Sequence, residues 1–220
     1  MSKVGSELMA DGGQRRASFQ RARSHETKRA LVQAAMALWR TNGYAKTTVA
    51  DICRAAGVSR GLFYFYFPAK EDILFEVGLL STRAAREKVR ASLRADYDVE
   101  AVIGEALRSL ERSMARNPRE LILQTILEGY RHEHRILAGE PVDDTADADM
   151  FGELFGRAQR DGKIGAHVDI EHLSRSAGMH VSEGVRHWAC GMFGDRSFAD
   201  VVTDDIAALV AGFNARNART

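Results

Sequence analysis

Five aromatic residues stand in a row at Phe63-Tyr64-Phe65-Tyr66-Phe67, with Arg60 three positions before the run and Lys70 three positions after it. The chemistry open to such a group is non-covalent. A phenol hydroxyl donates to a phosphate oxygen, a guanidinium forks onto guanine O6 and N7 or onto a phosphate, and an apolar ring touches a thymine methyl. On a helix Phe63 and Phe67 lie four apart on one face and belong in a core. Tyr64, Phe65 and Tyr66 cannot all join them, so at least one large ring must face outward. Taken alone, the run is equally a small helical core with surplus aromatics. The turn before it and the charge around it favour contact with DNA.

The elements that would hold these residues are legible just upstream, in TTVADICRAAGVSRG. Thr48 is suited to cap a first helix, its side-chain oxygen accepting from an orphan N–H. Val49, Ile52, Cys53 and Ala56 recur at helical spacing and make one apolar face. Gly57 stops that helix, because glycine alone enters the left-handed region freely. Ser59 then caps a second helix running through Phe67. Two short helices about a tight turn are a helix-turn-helix, the unit that lays its second helix in the DNA major groove.

Charge is divided unevenly. From Gln14 to Asp72 there are eleven Lys/Arg and four Asp/Glu, whereas from Ile73 to Thr220 there are nineteen against twenty-four, within a chain of net charge +1. A basic front and an acidic back suit a protein that grips phosphate at one end. The 220 residues can bury a real core in one large or two small domains. No apolar run approaches the ~20 residues of a membrane span. The opening MSKVGSELMADGGQRR lacks the apolar stretch of a secretory signal. Two cysteines make no disulfide framework. A cytoplasmic address is the expectation.

Three parts follow. Residues 1–24 lack periodicity and read as a disordered basic leader, whose Arg15, Arg16, Arg21 and Arg23 either enter a minor groove or are simply solvated. Residues 25–72 read as a helix-turn-helix domain, its first helix running from His25 to Asn42. Residues 73–220 read as a helical domain. A long helix starts near Lys70 and continues toward Arg94. Five more cover Val99–Asn117, Glu120–Leu137, Met150–Asp161, Ile170–Cys190 and Phe198–Ala215, with an acidic loop over 138–149. The fold class is therefore all-α.

The stretch from Thr27 to Val77 resembles the TetR family of transcriptional regulators. The resemblance rests on Ala34-Ala35, Leu38, Gly43-Tyr44, Thr47-Thr48, Ala56-Gly57-Val58-Ser59, Gly61, Phe63-Tyr64, Tyr66-Phe67 and Lys70-Glu71. It implies a ligand-responsive regulator, in most cases a repressor, that binds a palindromic operator as a homodimer with the last two helices paired across the twofold. It implies no cofactor and no catalysis. Ser59, Arg60, Gly61 and Leu62 would open the recognition helix at the base edges, with Arg60 on guanine or on phosphate. Tyr64 and Phe65 would reach the groove or its wall. Thr47, Thr48, Tyr66 and Lys70 would hold phosphates. Three positions depart from the family pattern. Leu62 replaces a short polar residue, which favours a thymine methyl. Tyr66 replaces histidine, which removes a group titrating near neutrality. Ala69 replaces the usual cap before Lys70, at ~0.5–2 kcal/mol. The resemblance also implies an effector pocket in the back half. Its lining is expected from Leu107, Met114, Ile126, Tyr130, Phe151, Phe155 and Trp188, with Tyr130 and His134 as polar anchors for a largely apolar small molecule.

Two other chemistries are open to the chain. His180, Glu183 and His187 fall on one helix face and are of metal-ligating type, yet no His-Glu-X-X-His, phosphate loop or nucleophile elbow accompanies them. Cys53 lies on an inward face, where a thiol is inert. The alternative functions are a DNA-binding regulator of the same fold without an effector, and a metal-dependent enzyme.

Overall fold

A computed structural model describes residues 4–140 and 149–215, with side chains from residue 23 onward. The described residues form nine helices. They fall into two compact units, one ending at Ile73 and the other beginning at Leu74. Among the described residues no helix is long and apolar enough to cross a membrane.

The first unit holds α1 (Val4–Asn42), α2 (Val49–Ala56) and α3 (Arg60–Tyr66). The sequence reading starts α1 near His25, whereas the backbone is helical from Val4. No proline interrupts the intervening stretch. Leu31, Ala35 and Trp39 of α1, Ile52 of α2, and Phe63 and Phe67 from the aromatic run are buried together with Ile73. The α2–α3 turn has the expected chemistry. Gly57 takes the left-handed conformation (φ 69°), and Val58 N–H donates to Cys53 O at 3.0 Å.

The second unit contains most of α4 (Asp72–Ser92) and then α5 (Val99–Met114), α6 (Arg119–Leu137), α7 (Gly152–Arg160), α8 (Ile170–Ala189) and α9 (Phe198–Ala215). Helix α4 begins two residues later than the sequence reading puts it. Ala69 offers no capping side chain, but its N–H donates to the Asp72 carboxylate at 2.7 Å, so the helix entrance is tied from the other side. Helix α5 stops at Met114 rather than Asn117, and Asn117 N–H folds back onto Met114 O at 2.9 Å. Most of the expected loop, residues 141–148, lies outside the described residues.

Helix α9 packs against α5 and α8, and α6 and α7 lie on α8. Helix α8 lies close to α9 at Gly184, where a methyl group would come within 2.4 Å of Val202 Cγ2. One core runs through the unit, from Val89 and Leu107 through Phe151, Phe155 and Leu173 to Phe198 and Ile206.

Candidate functional site

Helix α3 separates its aromatics by face. Phe63 is wholly buried, with its ring 6.0 Å from that of Phe67. Phe65 is 77% exposed and Tyr64 54%, and Leu62 is 37% exposed. Arg60 and Gly61 are also exposed, and Tyr66 is half-buried with its ring edge-on to Phe65 at 5.1 Å. The outward row is therefore Arg60, Leu62, Tyr64 and Phe65, a cation beside three large apolar or amphipathic groups. An exposed phenylalanine on a helix this short is costly in water, and a base edge or sugar would cover it.

The ends of the two short helices are fixed by local hydrogen bonds. Thr48 forms a reciprocal capping box with Asp51: its Oγ1 accepts from Asp51 N–H at 3.2 Å, and Thr48 N–H donates to Asp51 Oδ2 at 3.1 Å. The Thr48 hydroxyl and backbone, followed by Arg54, hold the Asp51 carboxyl below its ordinary range. Ser59 Oγ accepts from Leu62 N–H at 3.1 Å, which orients the first turn of α3.

Two residues expected on phosphate are engaged elsewhere. Thr47 is 2% exposed and donates its hydroxyl to Gly43 O at 2.8 Å. Lys70 Nζ donates to Tyr44 O at 3.1 Å and Thr47 O at 3.2 Å, and lies 4.1 Å from the centre of the Tyr44 ring. Tyr44 in turn donates to Glu71 Oε1 at 2.9 Å. Geometry gives Thr47 and Lys70 a positioning role: they tie the loop before α2 to the segment after α3. Tyr44 and Glu71 belong to this tie although the sequence reading gave them no site role. Their partners lie 23–27 positions away, so spacing carries no signal of it. Lys70→Ala should lower the stability of the first unit by about 1–3 kcal/mol, the value of hydrogen bonds to a charged group. Urea denaturation checks this, and an unchanged midpoint would return Lys70 to a surface role.

The residues expected around an effector fall in two places, six in or against one core and two on an open groove. Leu107, Met114, Phe151 and Phe155 are close-packed in the core of the second unit. Ile126 and Trp188 lie half-buried at its margin, with the Arg119 guanidinium 5.4 Å from the Trp188 ring centre. Tyr130 and His134 instead line an open groove of about 520 Å³ on α6, with Leu127, Glu128, Arg131 and Arg135. Desolvation, then the Glu183 carboxylate, raise the Tyr130 phenol above its ordinary value. On α8, Glu183 is bonded by Arg186, which lowers its carboxyl, and His187 Nε2 lies 3.0 Å from Glu183 Oε1. No group of three or more metal-ligating side chains is assembled among the described residues.

A capped helix-turn-helix with an outward aromatic row is thus followed by a separate helical unit. Residues 31–77 match the profile described as bacterial regulatory proteins, tetR family. The chain belongs to the TetR family. It is 28% identical to the HTH-type transcriptional regulator AcrR of Shigella flexneri over 62% of its own length and 63% of that protein. It is 25% identical to the probable acrEF/envCD operon repressor of Escherichia coli K12 over 79% of its own length and 81% of that protein. The chain thus aligns with somewhat less than two thirds of the first of these relatives. Among solved structures it resembles Thermus thermophilus FadR, a TetR-family repressor in complex with lauroyl-CoA. That match has a TM-score of 0.70 and 25% identity, covering 88% of this chain and 98% of that one.

Proposed function

We propose that this protein is a ligand-responsive transcriptional repressor that binds a palindromic operator as a homodimer and is released by a small, largely apolar effector. The observation that carries the reading is the split within the aromatic run, with Phe63 and Phe67 buried while Tyr64 and Phe65 stand in solvent beside Arg60. The basic front of the chain supplies the attraction to phosphate. In this reading residues 25–72 read the operator and residues 73–220 bind effector and partner. Ser59 and Thr48 fix the reading helix, Arg60, Leu62, Tyr64 and Phe65 face the bases, and Gly61 lets the backbone approach. Tyr66 contacts phosphate.

Half-buried Leu209, Val210 and Phe213 on α9 and exposed Met179 on α8 support a twofold interface on those helices. Relatives that are repressors support repression, and the lauroyl-CoA bound by the Thermus thermophilus protein supports an effector with a long apolar part. Release works by population shift: the effector moves the equilibrium only by its differential affinity for the DNA-bound and free arrangements. A cytoplasmic, non-catalytic protein follows from this reading.

Selection of binding sites from a random duplex library at fixed salt tests it. The expected product is a palindrome with half-sites about one helical turn, or a multiple, apart. Arg60→Ala should lower discrimination at one position of each half-site by about 1–3 kcal/mol, roughly tenfold to hundredfold. An enriched but asymmetric site would overturn the dimer, and no enrichment would overturn DNA reading by α3.

A further inference from the structure

Outside the helix-turn-helix, four arginines converge between the end of α4 and helix α7: Arg90 in the last turn of α4, Arg94 just beyond it, and Arg157 and Arg160 in the last turn of α7. Arg90, Arg94, Arg157 and Arg160 line a cleft of about 340 Å³ with Leu93 and Glu153. Helix dipoles favour Arg90, Arg157 and Arg160 in their last turns, but they do not explain why these groups line one concave space together with Arg94 and Leu93. Charge there is only partly matched. Arg90 Nε donates to Glu153 Oε2 at 3.0 Å across the cleft, and Arg157 Nε donates to Asp161 Oδ2 at 2.7 Å. Asp161 also accepts from the Tyr97 hydroxyl at 3.0 Å. Among the described residues, Arg94 and Arg160 have no carboxylate partner. Four planar forks around one opening suit a phosphate, which arginine binds in bidentate fashion.

The neighbouring surface gives the other half of the ligand. A second cleft of about 220 Å³ shares Arg90 and Glu153 with the first and is lined further by Val89 and Met150, with Arg86, Asp149 and Gly152. Val89 and Met150 are buried and belong to the core that contains Leu107, Met114, Phe151 and Phe155. A molecule anchored on the arginines therefore has the apolar side chains of Val89 and Met150 beside it.

We infer that this arginine cleft is the headgroup subsite of the effector, and that the effector is an apolar chain carrying a phosphate ester. This rests on the proposed effector-responsive function and adds the chemical class of the ligand and the residues that select it. Phosphate competes with Glu153 for Arg90, so binding loosens the ion pair that clasps α4 to α7 beside the point where the chain enters. Two sources share this chemistry: an acyl thioester of coenzyme A, with its phosphorylated nucleotide, and a simple lipid phosphate.

Calorimetry on the full chain with lauroyl-CoA, dodecyl phosphate and laurate separates them. Wild-type protein should bind at least one of the two phosphate amphiphiles more tightly than laurate, and whichever it is names the source. Arg94→Ala/Arg160→Ala alters two exposed side chains, and its thermal unfolding should match that of wild type. Its affinity for the phosphate amphiphile should fall about tenfold to hundredfold, as expected for lost charged hydrogen bonds, while laurate binding is unchanged. Glu153→Gln should act in the opposite direction and tighten phosphate binding, a gain that a merely structural role would not give.

Equal affinities in wild type and the double variant, or no binding of either phosphate amphiphile by wild type, would overturn the subsite. So would a double variant that lost affinity only for duplex DNA, because the arginines would then serve a nucleic-acid backbone. The selected duplex is measured in parallel. If it is bound while the amphiphile arms fail, the subsite falls and the regulator reading stands. If the amphiphile arms succeed without duplex binding, the reverse holds.

Discussion

Phe63→Ala will unfold the first unit, whereas Phe65→Ala, two residues along the same helix, will leave it folded and weaken operator binding. The two phenylalanines differ only in the face they occupy. Phe63 has no exposed surface and sits against Phe67 and Tyr64, with ring centres 6.0 and 5.3 Å away. Truncating such a side chain removes transfer energy and leaves a cavity, at about 3–5 kcal/mol. A small unit rarely holds more than ~3–5 kcal/mol in its core, so this loss is comparable to the whole. Phe65 is 77% exposed, and its truncation removes almost no buried area.

Circular dichroism during urea titration and duplex binding at fixed salt separate the two variants. The expected pattern is early loss of helix for Phe63→Ala. For Phe65→Ala it is a wild-type unfolding midpoint with affinity reduced by about 1–3 kcal/mol, the range for a lost base contact. If Phe65→Ala bound the operator normally, the outward aromatic row would not be the reading surface, and the reason given for its exposure would fail.

That contrast also marks how far the sequence could be read. Helical spacing placed Phe63 and Phe67 together on the inside and required a large ring outside, which α3 bears out. Gly57, Thr48 and Ser59 act as the turn and caps their chemistry implies, because each does so through bonds to residues at most four positions away. The tie among Lys70, Tyr44, Thr47 and Glu71 was not legible, since it depends on how the loop before α2 lies against the segment after α3. The effector residues were legible only as far as their inward face. Periodicity marks Leu107, Met114, Phe151 and Phe155 as inward-facing but does not distinguish a residue beside a cavity from one in contact with a neighbour. The arginine cleft was invisible because it joins the ends of two helices more than sixty positions apart in the chain.

Glu128 supplies the second large effect. It is 4% exposed in the middle of α6, and its two oxygens accept from Arg131 Nη1 and Arg135 Nη2, each at 3.2 Å. The arginines are far less buried, with side chains 66% and 34% exposed. The pair is therefore asymmetric, and so is its removal. Glu128→Ala takes away the buried charge and leaves two guanidiniums able to turn toward water. Arg131→Ala/Arg135→Ala leaves a carboxylate inside without its counter-charges, which costs about 3–5 kcal/mol.

The double arginine variant should accordingly be less stable than Glu128→Ala at neutral pH. Urea midpoints for the two variants at neutral pH provide the check. If Glu128→Ala were the more damaged of the two at neutral pH, the side-chain packing of Glu128, and not its charge, would be what α6 depends on. The same measurement bears on the groove that holds Tyr130 and His134, because Glu128, Arg131 and Arg135 form part of its lining. A stable Glu128→Ala protein would make that groove the more basic of two forms of an otherwise intact surface. A phosphate amphiphile that then bound there as well as at the α4–α7 cleft would show that charge, more than shape, confines the headgroup in the native protein.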